Sequence, residues 1–163
     1  MKRPVWARSW RSTLGAALGL VLLLGASTAW PVGSEEDAPA LDPDFVAGKQ
    51  AIVDQRWAAA IKALSSAALR DTRNADLQNH LGYAYRNAGQ MNLAFMHYER
   101  ALKLNPRHRG AHEYVGEAYL MVGKLAEAEA HLKALQAICL LPCEELDELK
   151  EKIEEFRRVK RVP

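Results

Sequence analysis

The sequence repeats itself with a period of 34 residues through its central part, and this period limits the choice of fold more than any other feature. Aligning the chain with itself at this spacing pairs Gly82 with Gly116 and Tyr85 with Tyr119. The same register also pairs Leu81 with Val115, Ala84 with Ala118, Gly89 with Gly123, Ala94 with Ala128, and His97 with His131. A fixed period of this length is typical of stacked supersecondary units. Because the register needs no insertion, we expect three tandem units, at 41–74, 75–108 and 109–142.

Each unit is predicted to contain two helices joined by a turn. In the second unit, apolar residues recur at helical spacing in two runs, which are Leu77, Leu81, Ala84, Tyr85 and Ala88, then Leu93, Tyr98, Ala101, Leu102 and Leu104. Gly89 lies between the runs, and glycine readily adopts the positive φ that often ends a helix. Pro106 follows the second run and disfavours helix in the residue before it. The repeated part of the chain is therefore expected to be all-α.

Small residues recur where the two helices of a unit would pack together. We expect Gly82 and Ala94 at the close approach of the paired helices, with Tyr98 filling the space beside them. A larger side chain at either small position would push the backbones apart and open a cavity elsewhere. In the third unit, Gly116 and Leu132 are expected to have the same roles as Gly82 and Tyr98.

This pattern resembles the tetratricopeptide repeat family. The residues that carry the resemblance are Leu81, Gly82, Tyr85, Gly89, Ala94, Tyr98, Ala101 and Pro106, followed by Val115, Gly116, Tyr119, Gly123 and Ala128. The tryptophan that the family has near the start of each unit is replaced by Asp44, Gln78 and His112. The resemblance covers residues 41–138 and implies an α-solenoid of three helix-turn-helix units plus a C-terminal capping helix. It also implies a protein-binding module and not an enzyme.

The resemblance further implies that a partner peptide binds in a concave groove lined by the first helix of each unit. Tyr83 and Arg86 are of the residue types most enriched among binding hot spots. Glu117 would repel a carboxylate, so we expect an extended or helical peptide and not the clamping of a partner's C-terminal carboxylate. The residues expected to line the groove are Phe45, Lys49, Ile52, Asn79, Tyr83, Arg86, Asn87, Glu113, Glu117 and Leu120. The alternative interpretation is that these are ordinary solvated positions.

The first residues of the chain have the pattern of a secretory signal peptide. Four basic residues and no acidic residue precede an apolar run from Leu14 to Gly25, and small residues follow the run. We expect cleavage after Ala29, so that 1–29 is the signal peptide and 30–41 is a flexible linker. The alternatives are cleavage after Ala26 or a few residues downstream of Ala29, and an uncleaved anchor helix, although the apolar run is short for a membrane span. The expected localisation is periplasmic or secreted.

Export would also change the net charge. The whole chain has 22 basic and 20 acidic residues, a formal net charge of +2. Removal of the four basic residues Lys2, Arg3, Arg8 and Arg11 leaves 18 basic residues and a net charge of −2. Neither value supports binding to nucleic acid or to a membrane surface. The expected partner is therefore a protein or a peptide.

Residues 143–163 are predicted to form a closing helix. Leu146, Leu149, Ile153 and Phe156 fall on one helical face. Acidic residues crowd the first turn and basic residues the end, which suits the helix dipole. Because a repeat array needs a capping element with a polar outer face, we expect this helix to cap the third unit. The alternatives are a coiled-coil partner helix and self-association of the chain through this helix.

Cys139 and Cys143 are the only cysteines in the chain. A separation of four residues across a proline-containing corner allows a disulfide bond, and export would place both residues in an oxidising compartment. We expect a structural disulfide that joins the last repeat to its cap. The alternatives are a thiol-redox pair or copper site, which would make the chain an exported thiol-redox or copper-handling protein, and two free thiols.

No other part of the sequence has a pattern typical of catalysis. There is no phosphate-binding glycine loop, no Gly-x-Ser-x-Gly elbow and no His-Glu-x-x-His helix. The histidines, His80, His97, His108, His112 and His131, are expected to be solvated surface residues. We therefore expect no catalytic residue, no metal and no cofactor. The sequence favours an exported, non-enzymatic adaptor, scaffold or assembly factor.

Overall fold

The computed structural model describes residues 42–161, and this part of the chain is helical throughout, with no strand. Seven helices follow one another, namely α1 (Pro43–Val53), α2 (Trp57–Arg70), α3 (Ala75–Asn87), α4 (Met91–Leu104), α5 (Arg109–Met121), α6 (Leu125–Ile138) and α7 (Glu144–Arg161). The first six form three pairs, one in each predicted unit. Each pair packs on the next, through α2 against α3 and α4 against α5. The prediction of an all-α solenoid is confirmed.

Side-chain caps begin the first helix of each pair. Asp42 caps α1, Asn74 Oδ1 accepts a hydrogen bond from the amide of Leu77 at 3.0 Å, and His108 Nδ1 accepts one from the amide of Ala111 at 3.2 Å. Such caps satisfy backbone donors that have no partner within the helix. Because Asn74 and His108 lie one period apart, α3 and α5 start at equivalent positions.

The turn between the paired helices needs the left-handed backbone region in every unit. Gly89 has φ 76° and Gly123 has φ 80°, as predicted for a glycine at a helix end. One period earlier, the same position is occupied by Gln55 with φ 55°. A non-glycine residue in this region costs about 1 kcal/mol. The first unit therefore contains local strain that the other two avoid.

The two helices of a pair approach so closely that there is no room for a side chain at one position. A Cβ atom added to Gly82 would lie 2.5 Å from the ring of Tyr98, and one added to Gly48 would lie 2.6 Å from Leu64. Tyr98 and Leu64 are fully buried and cannot move away. Ala94 is also fully buried, so the predicted close approach of α3 and α4 is confirmed.

The third unit differs, because the partner of its glycine comes from α7. A Cβ atom on Gly116 would lie 2.7 Å from a Cδ atom of Leu149. The expectation that Leu132 fills this space is therefore wrong. By register, α7 corresponds to the first helix of a fourth unit, since Leu149 lies one period after Val115. Leu149 and Ile153 are almost fully buried, so α7 covers the apolar end of the array as a cap.

A polar side-chain pair joins the helices of each unit at the position where the family has tryptophan. The pairs are Asp44 Oδ2 with Ser66 Oγ at 2.7 Å, Gln78 Oε1 with His97 Nδ1 at 2.8 Å, and His112 Nδ1 with His131 Nδ1 at 2.9 Å. Burial, and then the neighbouring His112, lowers the pKa of His131 to about 4. The expectation that the five histidines are solvated surface residues is therefore wrong, because all of them are at least half-buried.

The predicted signal peptide, 1–29, and the predicted linker, 30–41, lie outside the described residues. Among residues 42–161, none of the helices combines the length and the apolar character needed to cross a membrane.

The close approach at Gly82 gives a stability prediction. We expect Gly82→Ala to destabilise the fold by about 1–3 kcal/mol, because the new methyl group overlaps the immobile ring of Tyr98. Gly110→Ala is the matched control, since its nearest neighbour, the side-chain amide of Asn79 at 3.3 Å, needs to shift by only a few tenths of an ångström, and we expect a smaller loss of stability than for Gly82→Ala. Urea unfolding followed by circular dichroism measures both values. Equal stability of the two variants would contradict the close-approach interpretation.

Candidate functional site

The first helices α1, α3 and α5 share one face, here called the inner face, which carries the residues predicted to bind a partner. The structure places these residues in three classes of exposure. Phe45, Asn79, Arg86, Glu113 and Leu120 are buried, Lys49, Ile52, Tyr83 and Glu117 are half-buried, and Asn87 is exposed. The inner face is therefore largely packed. Of the residues predicted to line the groove, only those that are half-buried or exposed are free to touch a ligand. The role of the inner face in binding stays a prediction.

Arg86 lies at the centre of the inner face and joins α3 to α5. Its Nη1 atom donates a hydrogen bond to Glu117 Oε2 at 2.6 Å and another to the backbone oxygen of Tyr114 at 3.2 Å. Only 8% of the Arg86 side chain and 19% of the Glu117 side chain is exposed. Loss of one partner from a buried ion pair costs about 3–5 kcal/mol, because the other charge is left unpaired. Arg86 thus holds the two helices together and is not a free donor.

Aromatic side chains surround this arginine. The guanidinium carbon lies 5.1 Å from the ring centroid of Tyr83 and 5.5 Å from that of Tyr114. The rings of Tyr83 and Tyr114 are 5.0 Å apart, and Trp57 lies 6.2 Å from Tyr83. All three rings are half-buried, so each keeps an accessible part. Trp57 and Tyr114 are not among the residues that were predicted to line the groove.

The first-unit end of the inner face carries a cation. Lys49 Nζ lies 4.9 Å from the ring centroid of Phe45, and that ring meets His80 edge-on at a centroid distance of 5.4 Å. Burial lowers the pKa of His80, so its imidazole favours the neutral form. The charge at this end of the face is therefore that of Lys49.

The opposite end of the inner face carries carboxyl groups that α7 covers. Glu113 is only 5% exposed and lies beside Glu148 of α7. Burial raises its pKa most, and the neighbouring carboxylates of Glu148, Glu117 and Glu145 raise it further. Arg109 Nε lies 3.4 Å from Glu145, whereas Glu117 is paired with Arg86. Burial and the neighbouring carboxylates thus favour the protonated form of Glu113 under α7.

A pocket of about 410 Å³ lies between the C-terminal parts of α3, α5 and α7. Its walls are formed by Arg86, Asn87, Glu117, Leu120, Met121, Lys152, Glu155, Phe156 and Val159. Four of these residues belong to α7, which was predicted to be a cap, a coiled-coil partner helix or a site of self-association, but not a wall of the groove. The helical spacing of these residues is visible in the sequence, but no sequence pattern indicated that this side of α7 would lie next to the inner face.

The two cysteines are joined in a disulfide bond that links the end of α6 to the start of α7, with Cα atoms 6.2 Å apart. Cys143 is 8% exposed. Within residues 42–161, no group of three or more histidine, cysteine, aspartate or glutamate side chains is arranged to hold a metal ion. The structure therefore adds no further ligand to the cysteine pair, and thiol exchange or copper handling stays a sequence-based prediction.

The buried acid at Glu113 predicts a pH dependence of stability. The ordinary pKa of this carboxyl group is 4.5, and folding raises it. As the pH rises above 4.5, the group ionises first in the unfolded chain, so the folded state becomes less stable. We expect Glu113→Gln to be more stable than the parent chain, by more than about 1 kcal/mol near pH 8, with the gain shrinking towards pH 5.

Thermal unfolding at several pH values measures this difference. Glu151→Gln, which neutralises an exposed carboxylate of α7, is the matched control and should leave the pH profile unchanged. A Glu113→Gln profile parallel to that of the parent chain would show that Glu113 is ionised in the fold.

Comparisons with known proteins agree with this architecture. The tetratricopeptide repeat family model matches residues 75–108, which is the second unit. Over 70 residues, the chain is 34% identical to protein O-mannosyl-transferase Tmtc3 of Drosophila melanogaster. This match covers 43% of the chain but spans only 7% of the length of that relative.

Solved structures extend the likeness to the neighbouring units. The Yersinia enterocolitica type III secretion chaperone SycD, in complex with a peptide of the translocator YopD, matches with a TM-score of 0.66 at 21% identity, over 78% of this chain and 99% of that one. The first TPR domain of Spaghetti (RPAP3), bound to an HSP90 peptide, matches with a TM-score of 0.61 at 19% identity, over 70% and 90% of the two chains. At these identities, the likeness is one of fold. Together with the family match over residues 75–108, it shows that the chain contains a tetratricopeptide repeat within a fold that these structures share.

Proposed function

We propose that the chain is an exported, non-enzymatic interaction module that binds a peptide segment of a protein partner on its inner face. The observation that carries this proposal is the cluster around Arg86, in which a buried ion pair fixes the half-exposed rings of Tyr83 and Tyr114. Tyrosine is enriched at binding hot spots. Rings that are already held in place lose little conformational entropy when a partner binds.

The comparisons support the same kind of function. The matched SycD and Spaghetti (RPAP3) structures contain bound peptides, and their fold is that of this chain. Fold alone does not define a ligand. Support for a peptide-binding role of this chain therefore comes from the inner face itself, and the matched structures show only that this architecture binds peptides in other proteins.

The charges of the inner face favour a peptide segment over a free C-terminal carboxylate. A carboxylate would have to bind beside Lys49, because the other cation, Arg86, is occupied by Glu117. Glu113, at the far end, has further carboxyl groups around it. A single accessible cation gives a weak site for a carboxylate, whereas the aromatic centre of the face offers contact area to any extended or helical segment.

The role of the aromatic centre is testable by replacing both tyrosines. We expect the double variant Tyr83→Ala and Tyr114→Ala to lose its protein partner, because two hot-spot side chains together contribute more than the about 1.4 kcal/mol that corresponds to tenfold in affinity. Chemical crosslinking in cells, followed by affinity capture and quantitative mass spectrometry, measures the captured partner. Leu69→Ala, which changes an 83% exposed side chain of α2, is the matched control and should retain it.

Circular dichroism must show that the double variant is folded. Retention of every captured protein by the folded double variant would contradict binding on the inner face.

Export forms the second part of the proposal, and the N-terminal sequence supports it. We expect the protein in an envelope or extracellular fraction to begin at Trp30, because cleavage after Ala29 removes the basic and apolar segments. N-terminal peptide mass spectrometry measures the first residue. Leu22→Arg, which places a charge in the apolar run, should keep the chain inside the cell. An exported chain that still begins at Met1 would instead indicate an uncleaved anchor.

A further inference from the structure

The pocket between α3, α5 and α7 presents apolar side chains that the packed core does not use. Met121 is 64% exposed and Val159 is 68% exposed. Phe156 and Leu120 line the same space and continue it into the core beneath α7. Apolar residues from two helices thus line one concave surface, in a volume within the about 300–1,000 Å³ range of small-ligand sites.

The charged groups on the pocket walls are already paired with each other. Arg86 and Glu117 form the buried pair at 2.6 Å, and Lys152 Nζ lies 3.6 Å from Glu155 Oε2 at the exposed rim. Each pair is neutral as a whole. Inside the pocket, a charged ligand group would lose its hydration and would have to break the buried pair of Arg86 and Glu117 to gain a partner. Charge complementarity therefore favours an uncharged, apolar occupant.

The α7 wall of the pocket is held in place from several sides. Leu149 and Ile153 bury its apolar stripe against α5 and α6, and the disulfide bond fixes its start. Near the pocket, Arg157 Nη2 donates a hydrogen bond to Glu129 Oε1 of α6 at 2.7 Å. Phe156 and Val159 are therefore presented on a positioned helix, so little ordering is needed when a ligand binds.

From this geometry, we infer that the pocket is a specificity subsite that takes one aliphatic or aromatic side chain of the partner's peptide. The inference rests on the proposed function and adds to it the chemistry of the peptide and a role for α7. The pocket adjoins the aromatic centre at Arg86 and Glu117. A peptide lying across Tyr83 and Tyr114 would therefore extend directly into the pocket. The closing helix α7 thus both caps the array and contributes to the specificity for the peptide.

Selection from a library of random dodecapeptides displayed on phage tests the subsite with a defined probe. We expect enriched sequences to share one apolar residue at a fixed position, and a synthetic peptide of the most enriched sequence to shift the methyl signals of Leu120, Met121 and Val159 in NMR spectra. Replacement of the shared residue by aspartate should weaken binding at least about tenfold. Enrichment of peptides without a shared apolar residue would overturn the inference.

Two protein variants separate the subsite from the rest of the inner face. Val159→Asp should weaken the same peptide at least about tenfold, because it introduces a charge into the apolar wall. Leu69→Asp, at an exposed apolar residue of α2, should leave its affinity unchanged. Both positions are exposed, and thermal unfolding checks that both variants are folded.

The outcomes also distinguish this inference from the proposed function. Loss of binding in the Tyr83→Ala and Tyr114→Ala variant, with full binding in Val159→Asp, would retain the proposed function and overturn the subsite. Failure of the parent chain to enrich any peptide would contradict both. If the methyl signals of Met121 and Val159 shift with protein concentration in the absence of peptide, a second copy of the chain occupies the pocket, and the inference is overturned.

Discussion

The close approach of neighbouring helices at one glycine position determines where everything else in the structure can lie. Gly48, Gly82 and Gly116 recur at the period of the repeat, and a Cβ atom at any of them would overlap a buried side chain. In the first two units the glycine lets the paired helices pack closely, and in the third it lets α7 pack closely on α5, so that successive first helices lie side by side and share one face. The inner face therefore depends on glycine at this position of the repeat, where a side chain would keep the helices apart.

A second constraint joins stability to the surface proposed to bind. The pair of Arg86 and Glu117 crosses from α3 to α5, and the same arginine stacks beneath the rings of Tyr83 and Tyr114. A buried ion pair is worth little as net stabilisation, but removal of one member is costly. Selection for a fixed inner face would therefore also preserve the pair, and variants of Arg86 would confound binding with folding. This is why the tyrosines, which are only half-buried, are the better positions at which to test binding.

The period of the sequence was sufficient to predict the helix pairs, the turns at Gly89 and Gly123, and the close contact of Gly82 with Tyr98, because all of these depend on residues within one unit. Features that depend on contacts between particular polar side chains were missed. The pairing of Gln78 with His97 buries a histidine that a pattern of apolar residues leaves on the surface. The wall that α7 contributes to the pocket was missed for a related reason, since it depends on the angle at which a helix without a paired second helix packs.

The position of α7 results from two opposing effects, an acidic contact with α5 and the burial of apolar residues. Its docking brings Glu148 against Glu113, and this contact grows less favourable as the pH rises. Against it stand Leu149 and Ile153, each of which contributes about 1.5–3 kcal/mol on full burial. Closure of the short loop between Cys139 and Cys143 contributes about 2 kcal/mol more by restricting the unfolded chain. Apolar burial and the disulfide bond therefore act against the acidic contact and hold α7 in place as the wall of the pocket.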